Sequence, residues 1–121
     1  ETYSAFANSY GGLILLGVEE RPDHSLRVQG LLEPHEMAKE FWRMVSDPQV
    51  VSVNILRPED VWVAGTDDGA VLVIQVPPGE RDQLPVYLGQ DPFHGSYRRS
   101  GDGDYHCTRA EVQAMLGART H

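Results

Sequence analysis

Residues 4–20, S-A-F-A-N-S-Y-G-G-L-I-L-L-G-V-E-E, restrict the fold more than any other stretch of the chain. The small residues around Phe6 read as the last turns of a helix over residues 2–10, and Gly11 or Gly12 supplies the left-handed residue that ends it. Residues 13–18 are apolar on both faces and too short for a helix, which predicts a buried strand. A helix that stops on a glycine pair and turns directly into a core strand must pack against the sheet that strand enters.

The remaining elements follow from breakers and periodicity. Arg21-Pro22-Asp23-His24-Ser25 is a turn, and residues 26–31 form a second strand and a hairpin with the first. After Glu33-Pro34, the spacing of Met37, Phe41, Met44 and Val45 predicts a helix with those four on its buried face. Asp47-Pro48 ends it, and residues 50–56 read as a strand. Residues 61–64 and 70–76 flank Gly65-Thr66-Asp67-Asp68-Gly69, where Asp-Gly between β-rich runs signals a hairpin. Residues 85–88 and 95–99 read as short strands around the turn at residues 89–92. Thr108-Arg109-Ala110-Glu111 matches a capping box that opens a closing helix, with Val112, Met115 and Leu116 inward. The expectation is one α+β domain over residues 1–121, a single mixed sheet with helices packed on it.

Charge and cysteine usage limit the partners. Eighteen acidic residues against ten basic ones, with Lys39 the sole lysine, give a net charge of -8. An indiscriminate grip on nucleic acid needs many basic contacts to phosphate, so such a role must rest on a local arginine patch. One cysteine, Cys107, excludes an internal disulfide and points to a cytoplasmic, reducing setting. No apolar run approaches the ~18 residues of a membrane helix. The chain opens at Glu1, inside its first helix, so residues are expected upstream.

Several site chemistries can be weighed on the residues alone. Gly11-Gly12 lets backbone amides approach an anion, but the pair follows a helix and precedes a strand, the reverse of the dinucleotide order, and no Gly-Lys-Ser/Thr occurs. A helix terminator is the commoner role for such a pair. Glu19 and Glu20 close the first strand, and alternation keeps them from sharing one pocket, so one at most is a site. Five histidines and Cys107 show no zinc-ligand spacing. The densest basic point is Tyr97-Arg98-Arg99-Ser100-Gly101, with His106 and Arg109 close in sequence, a composition suited to phosphate contacts and stacking. Asp102 and Asp104 follow at once, and their neutralisation is the competing role for these arginines.

Taken in order, the corner Ala5-Phe6-Ala7-Asn8-x-x-Gly11-Gly12 leading to Gly17-Val18, the run Gly30-Leu31, the strand ending in Val76-Pro77-Pro78, and Tyr97-Arg98-Arg99-x-Gly101 before a threonine-capped helix resemble the Schlafen-type Alba-like domain. That family was formerly described as a divergent AAA ATPase domain. The resemblance implies an α+β fold, a bacterial transcriptional-regulator context and DNA or RNA as partner; the basic stretch then supplies the expected contacts, Arg98, Arg99 and Arg109 with Tyr97 and Asn8, and Gly11, Gly12 and Gly17 shape the corner. Nuclease members of the family hold a divalent metal on three acidic residues. Glu20 maps to the third, and the other two map upstream of Glu1. A metal-dependent endoribonuclease relative is therefore the second reading, and a dimerisation or protein-interaction module without catalysis, with a homodimer possible, the third. Without a phosphate-loop lysine there is no basis for ATP hydrolysis, and no resident cofactor is expected.

Overall fold

In a computed structural model describing residues 1–119, the glycine corner forms as its sequence dictates. Helix α1 (Thr2–Ala7) buries Tyr3, Ser4, Ala5, Phe6 and Ala7. Gly11, at φ 75°, donates its N–H to the Phe6 carbonyl at 2.8 Å and reverses the chain into β1 (Gly12–Leu16). At Gly17 (φ 94°) the expected strand over residues 13–18 breaks, and β2 (Val18–Glu20) pairs instead with β3 (Leu26–Val28) as a separate exposed hairpin.

β4 (Val61–Thr66) and β5 (Gly69–Val76) make the anticipated Asp-Gly hairpin, and β1 pairs along the other side of β5, giving the order β1-β5-β4. The register sets Ile14 and Val61 beside Ile74, and Leu16 and Val63 beside Leu72, on one face. That face packs against Tyr3 and Phe6 of α1 and Phe41, Trp42 and Val45 of α2 (Pro34–Val45). The opposite face buries Val71 and Val73 of β5 but is open along β1 and at Trp62 of β4. Leu13, Leu15 and Trp62 are 57%, 39% and 41% exposed, so β1 is an edge strand covered on one side, not the strand buried on both faces that its composition suggests.

Helix α2 is rotated from its expected setting. Ala38, Phe41, Trp42 and Val45, spaced three, one and three apart, turn inward, while Met37 and Met44 are exposed. Trp42 and Ala38 complete a full helical stripe with Phe41 and Val45, which the methionines do not.

Residues 50–56 and 85–88, expected as strands, run extended with only single bridges, Val51 to Leu88 and Tyr87 to Ser96. Side chains take the place of a neighbouring strand. The Tyr3 hydroxyl donates to the Val53 carbonyl and accepts from the Ile55 N–H, and Ser52 Oγ accepts from the Tyr87 N–H. Beyond a short helix α3 (Pro92–Gly95), β6 (Tyr97–Ser100) pairs with β7 (Gly103–His106), a strand beyond those expected. The Thr108–Glu111 capping box opens α4 (Arg109–Ala118) as expected. The fold is α+β, but its described pairings are all antiparallel and divide among a three-stranded sheet and two hairpins, correcting the single mixed sheet.

Candidate nucleic-acid interface

The β6–β7 hairpin carries the arginine pair, and strand alternation sends its members to opposite faces. Arg99 lies opposite Asp104, on the side facing α1. Its Nη1 donates to Asp104 Oδ1 at 2.9 Å, its Nε donates to the Gly101 carbonyl, and its guanidinium lies 5.2 Å from the centre of the Phe6 ring. The Thr2 hydroxyl donates to the second Asp104 oxygen at 2.7 Å. Partial burial pushes the Asp104 carboxyl up, but these hydrogen bonds and the Arg99 charge outweigh it and hold the group below the usual carboxylate range. Arg99 is thus tied into the fold.

Arg98 lies opposite Tyr105 on the other face. Its Nε is 3.3 Å from Glu111 Oε1 without hydrogen-bond geometry, and its guanidinium is 5.8 Å from the Tyr105 ring centre. The Arg98 side chain donates no hydrogen bond among the described residues. Arg109, exposed at the start of α4, lies over the Phe93 ring at 4.5 Å. Tyr97 stacks at a tilt on His106, with 4.4 Å between ring centres. The arginines therefore divide: Arg98, paired with Glu111, and Arg109 flank the first turn of α4, and Arg99 points to the other face, hydrogen-bonded to Asp104.

Asn8 sits between elements. Its Oδ1 accepts the Val86 N–H at 2.7 Å, and its Nδ2 donates to the Val86 and Tyr97 carbonyls at 2.9 Å each. Both amide hydrogens are engaged in the fold. The glycine corner is filled as well: a Cβ on Gly11 would lie 2.6 Å from the Val76 carbonyl oxygen, and one on Gly12 would lie 2.7 Å from the Phe6 ring. The glycines admit the protein's own atoms.

Glu20 stands in the exposed β2–β3 hairpin, opposite Leu26, with His24 Nδ1 3.3 Å away. Glu19 accepts from Gln29 on the alternate side. Among the described residues no three His, Cys, Asp or Glu side chains are grouped to hold a metal ion, and two of the three acidic ligands that the family resemblance implies map upstream of Glu1. Burial, seconded by the Glu111 charge and opposed by Arg98, pushes the Cys107 thiol up to about 11, which removes it as a nucleophile at neutral pH.

One surface residue escaped the sequence reading. Tyr105, 53% exposed, faces solvent beside Arg98. The signal was present in the alternation of residues 103–106 after a glycine turn, hidden by the loop-like Asp102 and Asp104.

The family model for Schlafen, AlbA_2 matches residues 1–108. The chain belongs to that family. The solution NMR structure of the N-terminal domain of a RecG-related protein from Nitrosomonas europaea superposes on this AlbA_2 domain with a TM-score of 0.61 at 28% identity, covering 88% of this chain and 72% of that one. No curated protein matches the sequence. Membership in the Schlafen, AlbA_2 family supports a general nucleic-acid-binding role. Arg98 and Arg99 lie inside the matched span, and α4 begins just beyond it. No described helix of the domain is long and apolar enough to cross a membrane.

Proposed function

We propose that this AlbA_2 domain is a DNA-binding module of a bacterial transcriptional regulator working in the cytoplasm, and that it contacts DNA through the outer face of the β6–β7 hairpin and the first turn of α4. The observation that carries the reading is Arg98, partly exposed beside the exposed Tyr105 ring, with Glu111 3.3 Å from its Nε. Arg109 extends the same end of α4. With so few cations in a chain of net charge -8, the phosphate contacts are few and the salt dependence shallow.

Fluorescence anisotropy with labelled duplex and single-stranded DNA, each titrated over a range of salt, tests the reading. Binding at low salt whose log-log slope falls by about one for Arg98→Ala and again for Arg109→Ala supports it, with a smaller response from Arg99→Ala because Asp104 holds that side chain. No binding at low salt refutes it.

A second reading, assembly with a second copy of the chain, is favoured by the open sheet face. Tyr10, Leu13, Leu15 and Trp62 expose on the order of 500 Å² together, most of one partner's share of a small interface. None of the four carries a charge. Sedimentation equilibrium on the wild type and on Leu15→Arg decides it: a monomer in both removes the reading.

A further inference from the structure

Resting on the nucleic-acid reading, we infer that the domain takes single-stranded nucleic acid and that an unpaired base stacks on Tyr105. Two observations beyond exposure support this. The ring lies down along its own strand over Gly103: a Cβ at that glycine would meet Cε2 and the hydroxyl oxygen of Tyr105 at 2.9 Å. Gly103 is therefore the gap that lets the ring lie there. The cross-strand Arg98 guanidinium stands 5.8 Å from the ring centre. A ring braced by strand backbone and an arginine, and still 53% exposed, presents surface for a base with little side-chain freedom left to lose.

The charge pattern selects the form of nucleic acid. A duplex hides its ring faces in the stack and offers mainly phosphates and groove edges, which call for a dense array of cations. This surface has two arginines, one of them next to Glu111, in an acidic chain. A single strand offers base faces, for which an aromatic ring with an adjacent arginine is the suited counterpart. DNA and RNA single strands share that chemistry.

The test compares oligo(dT), oligo(U) and a DNA duplex of equal length at low salt, with 2-aminopurine placed centrally in a single strand as a stacking probe. The expected result is preference for one or both single strands, quenching of the probe on binding, and a loss of roughly 5- to 150-fold in affinity for Tyr105→Ala that Tyr105→Phe does not show. Gly103→Ala, which displaces the ring without removing it, should weaken binding in the same direction. Circular dichroism of each variant confirms that the exposed substitution leaves the fold intact. Duplex binding that equals or exceeds single-strand binding, or Tyr105→Ala without effect, overturns the inference while leaving the nucleic-acid reading in place. Absence of binding to all three probes overturns both.

Discussion

Asn8 and Val86 are hydrogen-bonded in both directions: the asparagine Oδ1 accepts from the Val86 N–H at 2.7 Å, and Nδ2 donates back to the Val86 carbonyl at 2.9 Å. One side chain thereby reproduces the two-way exchange of an antiparallel strand pair, for a segment that has only single bridges to its neighbours. Nδ2 also reaches the Tyr97 carbonyl, which joins the end of α1 to the first residue of β6.

Replacing Asn8 by alanine should therefore destabilise the domain strongly. Val86 is fully buried, so water cannot take over for its N–H, and the Ser4 hydroxyl still satisfies only the carbonyl. An unsatisfied buried donor and the lost bonds together put the expected loss at about 2–4 kcal/mol. Urea unfolding followed by circular dichroism measures it. A loss below about 0.5 kcal/mol would show that the clamp is not needed, since that is the size of an ordinary surface substitution.

The two glycines of the corner should respond differently to alanine. At Gly11 the backbone is left-handed and the new methyl would strike the Val76 carbonyl, a backbone atom that cannot swing aside. The conformation alone costs about 1–2 kcal/mol, and the clash adds to it. At Gly12 the obstacle is the Phe6 ring, which can tilt but carries the Arg99 guanidinium on its face. Gly12→Ala should cost less stability than Gly11→Ala and move the Arg99 side-chain resonances in NMR spectra. Equal stabilities would refute the distinction.

The parts of the fold visible in the sequence are those whose cause is local. A glycine pair, Asp-Gly between β-rich runs, and Thr-x-x-Glu each act within a few residues, and the corner, the β4–β5 hairpin and the α4 cap formed as read. The misread parts have distant causes. Residues 50–56 failed to become a ladder strand because the Tyr3 hydroxyl, fifty positions away, satisfies Val53 and Ile55. The open outer face of β1 depends on which element covers it, and Leu13 and Leu15 alone do not reveal that. The site differs: Arg98 and Arg99 were grouped as one patch, although alternation along the strand expected over residues 95–99 already sends them to opposite faces.

Glu20 should prove dispensable for the stability of this chain. It is mostly solvent-exposed and its contact with His24 is an exposed pair on the same short hairpin. Glu20→Ala is expected to change stability by no more than about 0.5 kcal/mol, and added manganese should leave the melting temperature of both forms unchanged. A manganese-dependent rise that disappears in Glu20→Ala would reverse this and revive the metal-site reading.

The buried thiol links alkaline stability to the arginine face. Cys107 has an ordinary pKa of 9.0 unfolded and about 11 folded, chiefly because burial disfavours the thiolate, with Glu111 adding to the rise and Arg98 opposing it. An acid whose pKa is raised by folding stabilises the native state fully below its unfolded pKa, and the contribution is lost as the pH rises through the folded one. Stability should thus decline between pH 9 and 11 in a way that Cys107→Ala removes. The neighbours give the sign a second check. Arg98→Ala withdraws the opposing charge and should raise the thiol pKa further, whereas Glu111→Gln should lower it. Iodoacetamide alkylation rates across alkaline pH, measured on the folded protein, report both shifts. Opposite movements in the two variants confirm that Arg98 and Glu111 both act on the thiol, with opposite sign. Movement in the same direction would break that assignment.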